Sequence, residues 1–246
     1  MELVYRHDYK IRDIYLDCFG RVKPSALLYF AQEAAGFHCE QLHLDWETLA
    51  EKKLFWAVTR TKVQITRLPE PGETITVETW PMPTTRVAYP RSTAAYDSRG
   101  NELFRAVSLW VLMNTETRAL MLPGKSGVEV PGILRGSELS IPGSLAPKGL
   151  EREAVCTVGF NLLDRNGHMN NTRYLDWVTD LLPAAFHREH PLREFTVCYL
   201  SEALEQQQID IHWDIDEAGL LQVDAHRRQT AVDAAQPRVF TAQLQF

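Results

Sequence analysis

Several features that would assign a compartment or a polymeric partner are missing from this sequence. The four cysteines, Cys18, Cys39, Cys156 and Cys198, are widely spaced and form no C-x-x-C, so reduced thiols in a cytoplasmic protein are the expectation. Positive charge is not in excess: 26 Lys and Arg face 32 Asp and Glu, a net charge of −6. Nucleic-acid binding normally needs a basic face, so no nucleic-acid partner is expected, although a local basic patch can still meet an acidic protein. No apolar run is long enough to span a bilayer. The opening residues, MELVYRHDYK, do not read as a signal or transit peptide. What remains, 45% hydrophobic and 24% charged residues over 246 positions, is the composition of an ordinary globular protein of one large or two modest domains.

The most informative stretch is Asn161–Leu182, NLLDRNGHMNNTRYLDWVTDLL. Tyr174, Trp177, Val178, Leu181 and Leu182 recur at helical spacing and predict a buried amphipathic helix. Asn170, Asn171 and Thr172 stand where N-cap side chains accept the unpaired amide protons of a helix. Just ahead lie Asp164, Asn166, Gly167 and His168, a carboxylate, an amide, a flexible residue and an imidazole against the positive end of that helix. A polar turn that only caps a helix would explain one such cluster. A second copy argues otherwise. Asp17–Phe30, DCFGRVKPSALLYF, aligns without a gap on Asp164–Trp177, matching Asp17 to Asp164, Gly20 to Gly167 and Leu28 to Leu175. In that copy Phe19 replaces Asn166 and Arg21 replaces His168. Downstream, Val63–Trp80 resembles Val197–Trp213, and Leu103–Trp110 resembles Val239–Phe246. A repeat of half the chain implies two similar domains.

Each copy reads as a strand, a glycine turn, a helix and a run of alternating strands, which is α+β with a sheet wrapped around a helix. In the first copy the predicted elements are Val4–Ile14, a long helix from Pro24 to about His43, then strands Phe55–Ile65, Thr74–Trp80, Arg86–Tyr96 and Leu103–Asn114. Small residues Ala34, Ala35 and Gly36 are expected to let the sheet approach the helix. The Gly- and Pro-rich stretch Met121–Leu150 has no sustained period, which places domains at 1–122 and 151–246 with a linker at 123–150. Strands near Ala154–Phe160, Thr196–Leu200, Gln208–Asp214, Leu220–Arg227 and Val239–Phe246 complete the second copy, and Pro183 is expected to end or kink its helix.

Three stretches carry a family likeness: Leu54–Pro81 (LFWAVTRTKVQITRLPEPGETITVETWP), Arg105–Leu120 (RAVSLWVLMNTETRAL) and Asp164–Trp177 (DRNGHMNNTRYLDW). They resemble the acyl-acyl carrier protein thioesterases, and the duplicated helix and sheet resemble the tandem double hotdog fold. The resemblance implies hydrolysis of long- or medium-chain acyl-[acyl carrier protein], releasing free fatty acid and terminating fatty-acid synthesis. It implies acyl carrier protein as partner; no cofactor or metal is expected. It also places the acyl pocket in the first copy, with Trp56, Trp80 and Trp110 as core residues or pocket walls. By the family's D-x-N-x-H pattern the catalytic residues are Asp164, Asn166 and His168, joined by Glu202 in YLSEAL on the first long strand of the second copy. Plant members carry a cysteine after that glutamate; here it is Ala203, so no thiol is required there. Cys198 reads as a small core residue. His187 and His190 in HREH have a metal-like spacing but no third ligand nearby.

The chemistry this implies is a water deprotonated by Glu202 with His168, Asn166 donating to substrate or water, and Asp164 holding the loop. Backbone amides near Gly167–Asn170 are expected to supply the oxyanion site. Direct attack by a carboxylate is the other route. Acyl-CoA hydrolysis, a non-catalytic acyl-binding protein and a hotdog dehydratase are the competing functions. The fused pair is expected to act as a monomer (a pseudo-dimer) or as a homodimer.

Overall fold

The computed structural model describes residues 2–228 and 237–246. The chain divides into two compact units, Met1–Pro142 and Gly143–Phe246.

In the first unit, β1 (Tyr5–Lys10) leads through a 3-10 turn at Asp13–Tyr15 into α1 (Pro24–Gln41). Next come α2 (Trp46–Glu51), β2 (Leu54–Ile65), β3 (Thr74–Pro81), β4 (Tyr89–Tyr96), β5 (Glu102–Asn114), β6 (Leu120–Met121) and α3 (Pro123–Ser126). The strands pair in the order β1-β3-β4-β5-β2, antiparallel throughout, with β6 on β5. Pro24 opens α1 at a position where its missing N–H costs nothing. The helix then buries Leu27, Phe30, Ala34 and His38, at the three- to four-residue spacing of one face, and packs on β1 and β3. Ala34 and Ala35 are buried as expected. Gly36 is exposed and faces open space, so it takes no part in the approach to the sheet.

The sequence reading assigned no element to α2. Its start is fixed by Asp45, whose carboxylate accepts from the Thr48 amide at 3.0 Å and from the Thr48 hydroxyl at 2.9 Å. Trp80 is fully buried, while Trp56 and Trp110 are half-buried against a cluster of Leu42, Leu44, Leu49, Leu54, Tyr89, Leu112 and Val128. Residues 122–142 are not a free tether. The Ile133 amide donates to the Pro81 carbonyl at 2.9 Å, and the Trp80 indole donates to Glu138 at 3.0 Å.

The second unit repeats this order. It comprises β7 (Arg152–Thr157), a 3-10 turn at Phe160–Leu162, α4 (Arg173–Asp180), α5 (Ala184–Glu189), β8 (Glu194–Tyr199), β9 (Gln208–Ile215), β10 (Leu220–Arg227) and β11 (Arg238–Gln245). The strand order is β7-β9-β10-β11-β8, the first unit's arrangement position by position. Pro183, which has no N–H to continue α4, separates it from α5. The buried face of α4 is Tyr174, Leu175 and Val178; Trp177 and Leu181 are only half-buried, a shift of one position from the predicted face. Among the described residues no helix is long and apolar enough to cross a membrane.

Candidate active site

The turn before α4 is built around one carboxylate. Asp164 Oδ1 accepts the amides of Asn166 at 2.8 Å and His168 at 3.3 Å. The Asp164 amide donates to the His168 carbonyl at 2.7 Å and the Gly167 amide to the Asp164 carbonyl at 3.0 Å. Gly167 has φ +77°, a left-handed conformation that glycine adopts without steric cost. Asn166 is exposed at the tip. Of the three residues expected to cap the helix, Asn170 does so, its Oδ1 accepting the Thr172 amide at 2.9 Å and the Thr172 hydroxyl at 2.8 Å. Asn171 and Thr172 are not the caps: Thr172, next to the first helical residue, has helical dihedrals and makes no side-chain cap bond.

Glu202 comes from the other side. It lies not on a strand but in the loop after β8, which ends at Tyr199. The strand stops because Leu200 and Ser201 both donate their amides to the Val239 carbonyl, at 2.9 and 3.1 Å, so the chain bulges out of the ladder. The Met169 amide reaches the Ala203 carbonyl at 2.8 Å, and His168 bridges to Leu204. These links bring the loop to the turn, where His168 Nε2 lies 3.3 Å from Glu202 Oε2. The His168 side chain is 16% exposed and that of Glu202 42%, so an inner imidazole is paired with a carboxylate open to water. Ala203 is fully buried behind them, and Cys198 is buried on β8.

The expected oxyanion site does not form from the backbone. The amides of Gly167, His168, Met169 and Asn170 donate respectively to the Asp164 carbonyl, Asp164 Oδ1, the Ala203 carbonyl and the Leu162 carbonyl. The tight turn that positions His168 consumes the donors that the helix start would otherwise offer.

The family models of the acyl-ACP thioesterases match both parts of the chain, the N-terminal domain over residues 2–122 and the C-terminal domain over 149–236. The chain belongs to the acyl-ACP thioesterase family. It is 28% identical over 218 residues to a chloroplastic palmitoyl-acyl carrier protein thioesterase of Gossypium hirsutum, an overlap of 81% of this chain and 52% of that protein. It is 27% identical over 238 residues to a chloroplastic dodecanoyl-[acyl-carrier-protein] hydrolase of Cinnamomum camphora, covering 89% and 62% respectively. The chain thus spans somewhat over half the length of these relatives. Two solved structures share the fold. One is an acyl-ACP thioesterase from Bacteroides thetaiotaomicron, with TM-score 0.87, 22% identity and coverage of 99% of this chain and 97% of that one. The other is a 12:0-ACP thioesterase from Umbellularia californica, with TM-score 0.82, 24% identity and coverage of 100% and 97%. The α+β double hotdog expected from the repeat is the fold of this family member.

Two residues near the pair escaped the sequence reading. Tyr174 fits the apolar stripe of α4, yet its hydroxyl lies close to the two carboxylates. Burial pushes its pKa well above the ordinary tyrosine value, and the charges of Asp164 and Glu202 add to this, so it stays protonated. Its ring packs edge-on against Tyr199 and Phe240, with centroids 5.4 and 5.0 Å away. Arg227, the last residue of β10, donates from Nη2 to the Glu202 carbonyl. Nothing local in HRRQ marks it. His187 and His190 donate to the carbonyls of Thr179 and Phe186. Among the described residues no three His, Cys, Asp or Glu side chains are grouped as metal ligands.

Proposed function

We propose that this chain hydrolyses the thioester of medium- or long-chain acyl groups carried on acyl carrier protein, in the cytoplasm, releasing free fatty acid and ending chain growth. The observation that carries the reading is the His168–Glu202 contact in the second unit. It lies where the first copy of the same turn has an arginine in place of the histidine. Glu202 and His168 together hold a water and take its proton as its oxygen attacks the thioester carbonyl carbon. The C–S bond then breaks and the proton passes to the leaving thiolate, giving a carboxylic acid and a thiol. With the turn's backbone amides already bonded, the side-chain amide of Asn166, at the exposed tip, is the donor for the developing oxyanion. Asp164 is a positioning residue whose carboxylate shapes the turn. The first unit, as the domain lacking the Asn and His pair, binds the acyl chain, with the surroundings of Trp56 and Trp110 as its apolar walls. The scheme uses no metal or cofactor.

The test is thiol release from a panel of acyl carrier protein and CoA thioesters, octanoyl to stearoyl, with His168→Ala and Glu202→Ala alongside. Release from the carrier-protein thioesters is expected to fall by roughly 10²–10⁴-fold in both variants while circular dichroism is unchanged. Release from CoA thioesters alone would change the donor and keep the chemistry. Acyl binding with no release from any thioester would overturn the enzyme and leave an acyl-binding protein.

A further inference from the structure

We infer that Arg227 is a positioning residue of this site, fixing Glu202 at the distance where its carboxylate meets His168. The inference rests on the hydrolase reading above. The His168–Glu202 contact is long, at 3.3 Å, and the Glu202 carboxylate is substantially open to solvent. Its geometry therefore depends on where the backbone of Glu202 is held. Before Glu202 the loop is tied by Leu200 and Ser201 to the Val239 carbonyl and by the Ser201 hydroxyl to the Arg238 carbonyl. After it the Ala203 carbonyl is tied to Met169 and the Leu204 amide to the Gln207 side chain. At Glu202 itself the tie is the Arg227 guanidinium on the backbone carbonyl.

Arg227 is anchored in the sheet, opposite Ile209 of β9, with its amide on the Pro237 carbonyl at 2.9 Å. Its neighbours are occupied differently. Arg228 pairs with Asp210 and Arg238 with Asp224. Among the described residues Arg227 pairs with no carboxylate, and its Nε is buried with no partner. Leaving a buried donor unsatisfied is costly, and among the described residues the acceptor that holds the Arg227 side chain is the Glu202 carbonyl. The charge also lies with the site: the negative charges of Asp164 and Glu202 raise the Tyr174 pKa and the positive charge of Arg227 opposes them. In the first unit the carbonyl of Leu68 also accepts from a guanidinium, but from the adjacent Arg67 at 3.1 Å, and the register match to Arg227 is Asp97, so the tie across the sheet from β10 is particular to the second unit.

Arg227→Ala should lower kcat roughly ten- to hundredfold with KM changed by less than about twofold, because a displacement near 1 Å has an effect of that size. Arg227→Lys, which keeps a cationic donor, should recover part of the loss. A readout independent of turnover is the NMR chemical shift of the His168 ring at fixed pH. In Arg227→Ala it should move toward that of Glu202→Ala, since both release the imidazole from its carboxylate. A wild-type ring shift in Arg227→Ala, or an unchanged kcat, would overturn the inference. If Arg227→Ala does not fold, Arg227→Gln carries the test. It keeps an N–H for the carbonyl on a shorter, uncharged side chain, so an intermediate His168 ring shift supports the role and a wild-type one refutes it. Should wild type release no thiol from any thioester, the hydrolase reading fails, and the His168 ring shift still decides whether Arg227 holds the pair.

Discussion

The Asp17–Arg21 turn of the first unit and the Asp164–His168 turn of the second have the same backbone and opposite chemistry. In the first, Asp17 Oδ1 accepts the amides of Phe19 and Arg21 at 2.8 and 2.9 Å, and the Asp17 amide meets the Arg21 carbonyl at 2.7 Å. These are the bonds Asp164 makes with Asn166 and His168. Gly20 and Gly167 have φ +73° and +77°. The equivalence extends to the loops beyond. Thr66 and Arg67 both donate to the Leu103 carbonyl as Leu200 and Ser201 do to Val239, so Leu68 stands where Glu202 stands. Arg21 folds back on Asp17 at 3.2 Å and covers the Phe19 ring, whereas His168 reaches Glu202. The aspartate is thus a turn former in both units. The proposed chemistry rests on the three positions that differ between the units: Asn166, His168 and Glu202.

The largest effect is expected from erasing the difference between the two turns. A His168→Arg, Glu202→Leu double variant gives the second unit the residues the first already accommodates in the same backbone. It should fold normally and lose roughly 10²–10⁴-fold in kcat/KM for thioester hydrolysis. Residual hydrolysis within about tenfold of wild type would place the chemistry elsewhere.

The cores differ as well. α1 runs unbroken for 18 residues and buries His38 in its last turn, while Pro183 stops the equivalent helix early. His38 Nδ1 accepts from the Arg91 guanidinium at 3.2 Å, and its Nε2 donates to the Glu2 carbonyl at 3.2 Å, so the ring is neutral. Burial, and then the Arg91 charge, push its pKa down to about 4 from the ordinary 6.5. The unfolded chain therefore takes up this proton first as pH falls. The contribution of neutral His38 is present in full above pH 6.5 and is lost between 6.5 and about 4. A difference of about 2.5 units corresponds to about 3 kcal/mol. Urea unfolding from pH 7 to pH 4 should show wild type losing about that much more stability than His38→Gln, since other groups titrate alike in both. Parallel curves would mean that His38 is not held neutral.

Much of this was legible because each element carries its own local signal. Pro24 and the apolar spacing marked α1, strict alternation marked β3 and β9, and the glycine turn exposed the duplication. The hidden parts depend on contacts between segments distant in sequence. Glu202 lies off its strand because two amides share Val239. The amides of Gly167–Asn170 are unavailable because Asp164, Leu162 and Ala203 take them. Arg227 reaches Glu202 from β10, two strands from β8 in the sheet. The short α2 had a signal, Asp45 three residues before Thr48, but only six residues on which to repeat it.

The smallest test concerns two matching corners with different residues. Gly72 and Gln206 both have left-handed backbones, φ +79° and +66°, and both donate their amides to equivalent carbonyls, Ile11 at 3.0 Å and Val158 at 2.9 Å. A Cβ on Gly72 would meet nothing within 4 Å. Gly72→Ala therefore isolates backbone strain and should destabilise by about 1 kcal/mol. Gln206→Gly releases similar strain but loosens the unfolded chain more, so unfolding free energy should stay within about 0.5 kcal/mol of wild type. The second unit thus tolerates a strained side chain in the loop that carries Glu202, at a corner where the first unit has none. If that side chain serves to narrow the loop, kcat falls in Gln206→Gly while stability holds. An unchanged kcat would make the strain incidental, and the placement of Glu202 would then rest on the anchors at Val239, Met169 and Arg227.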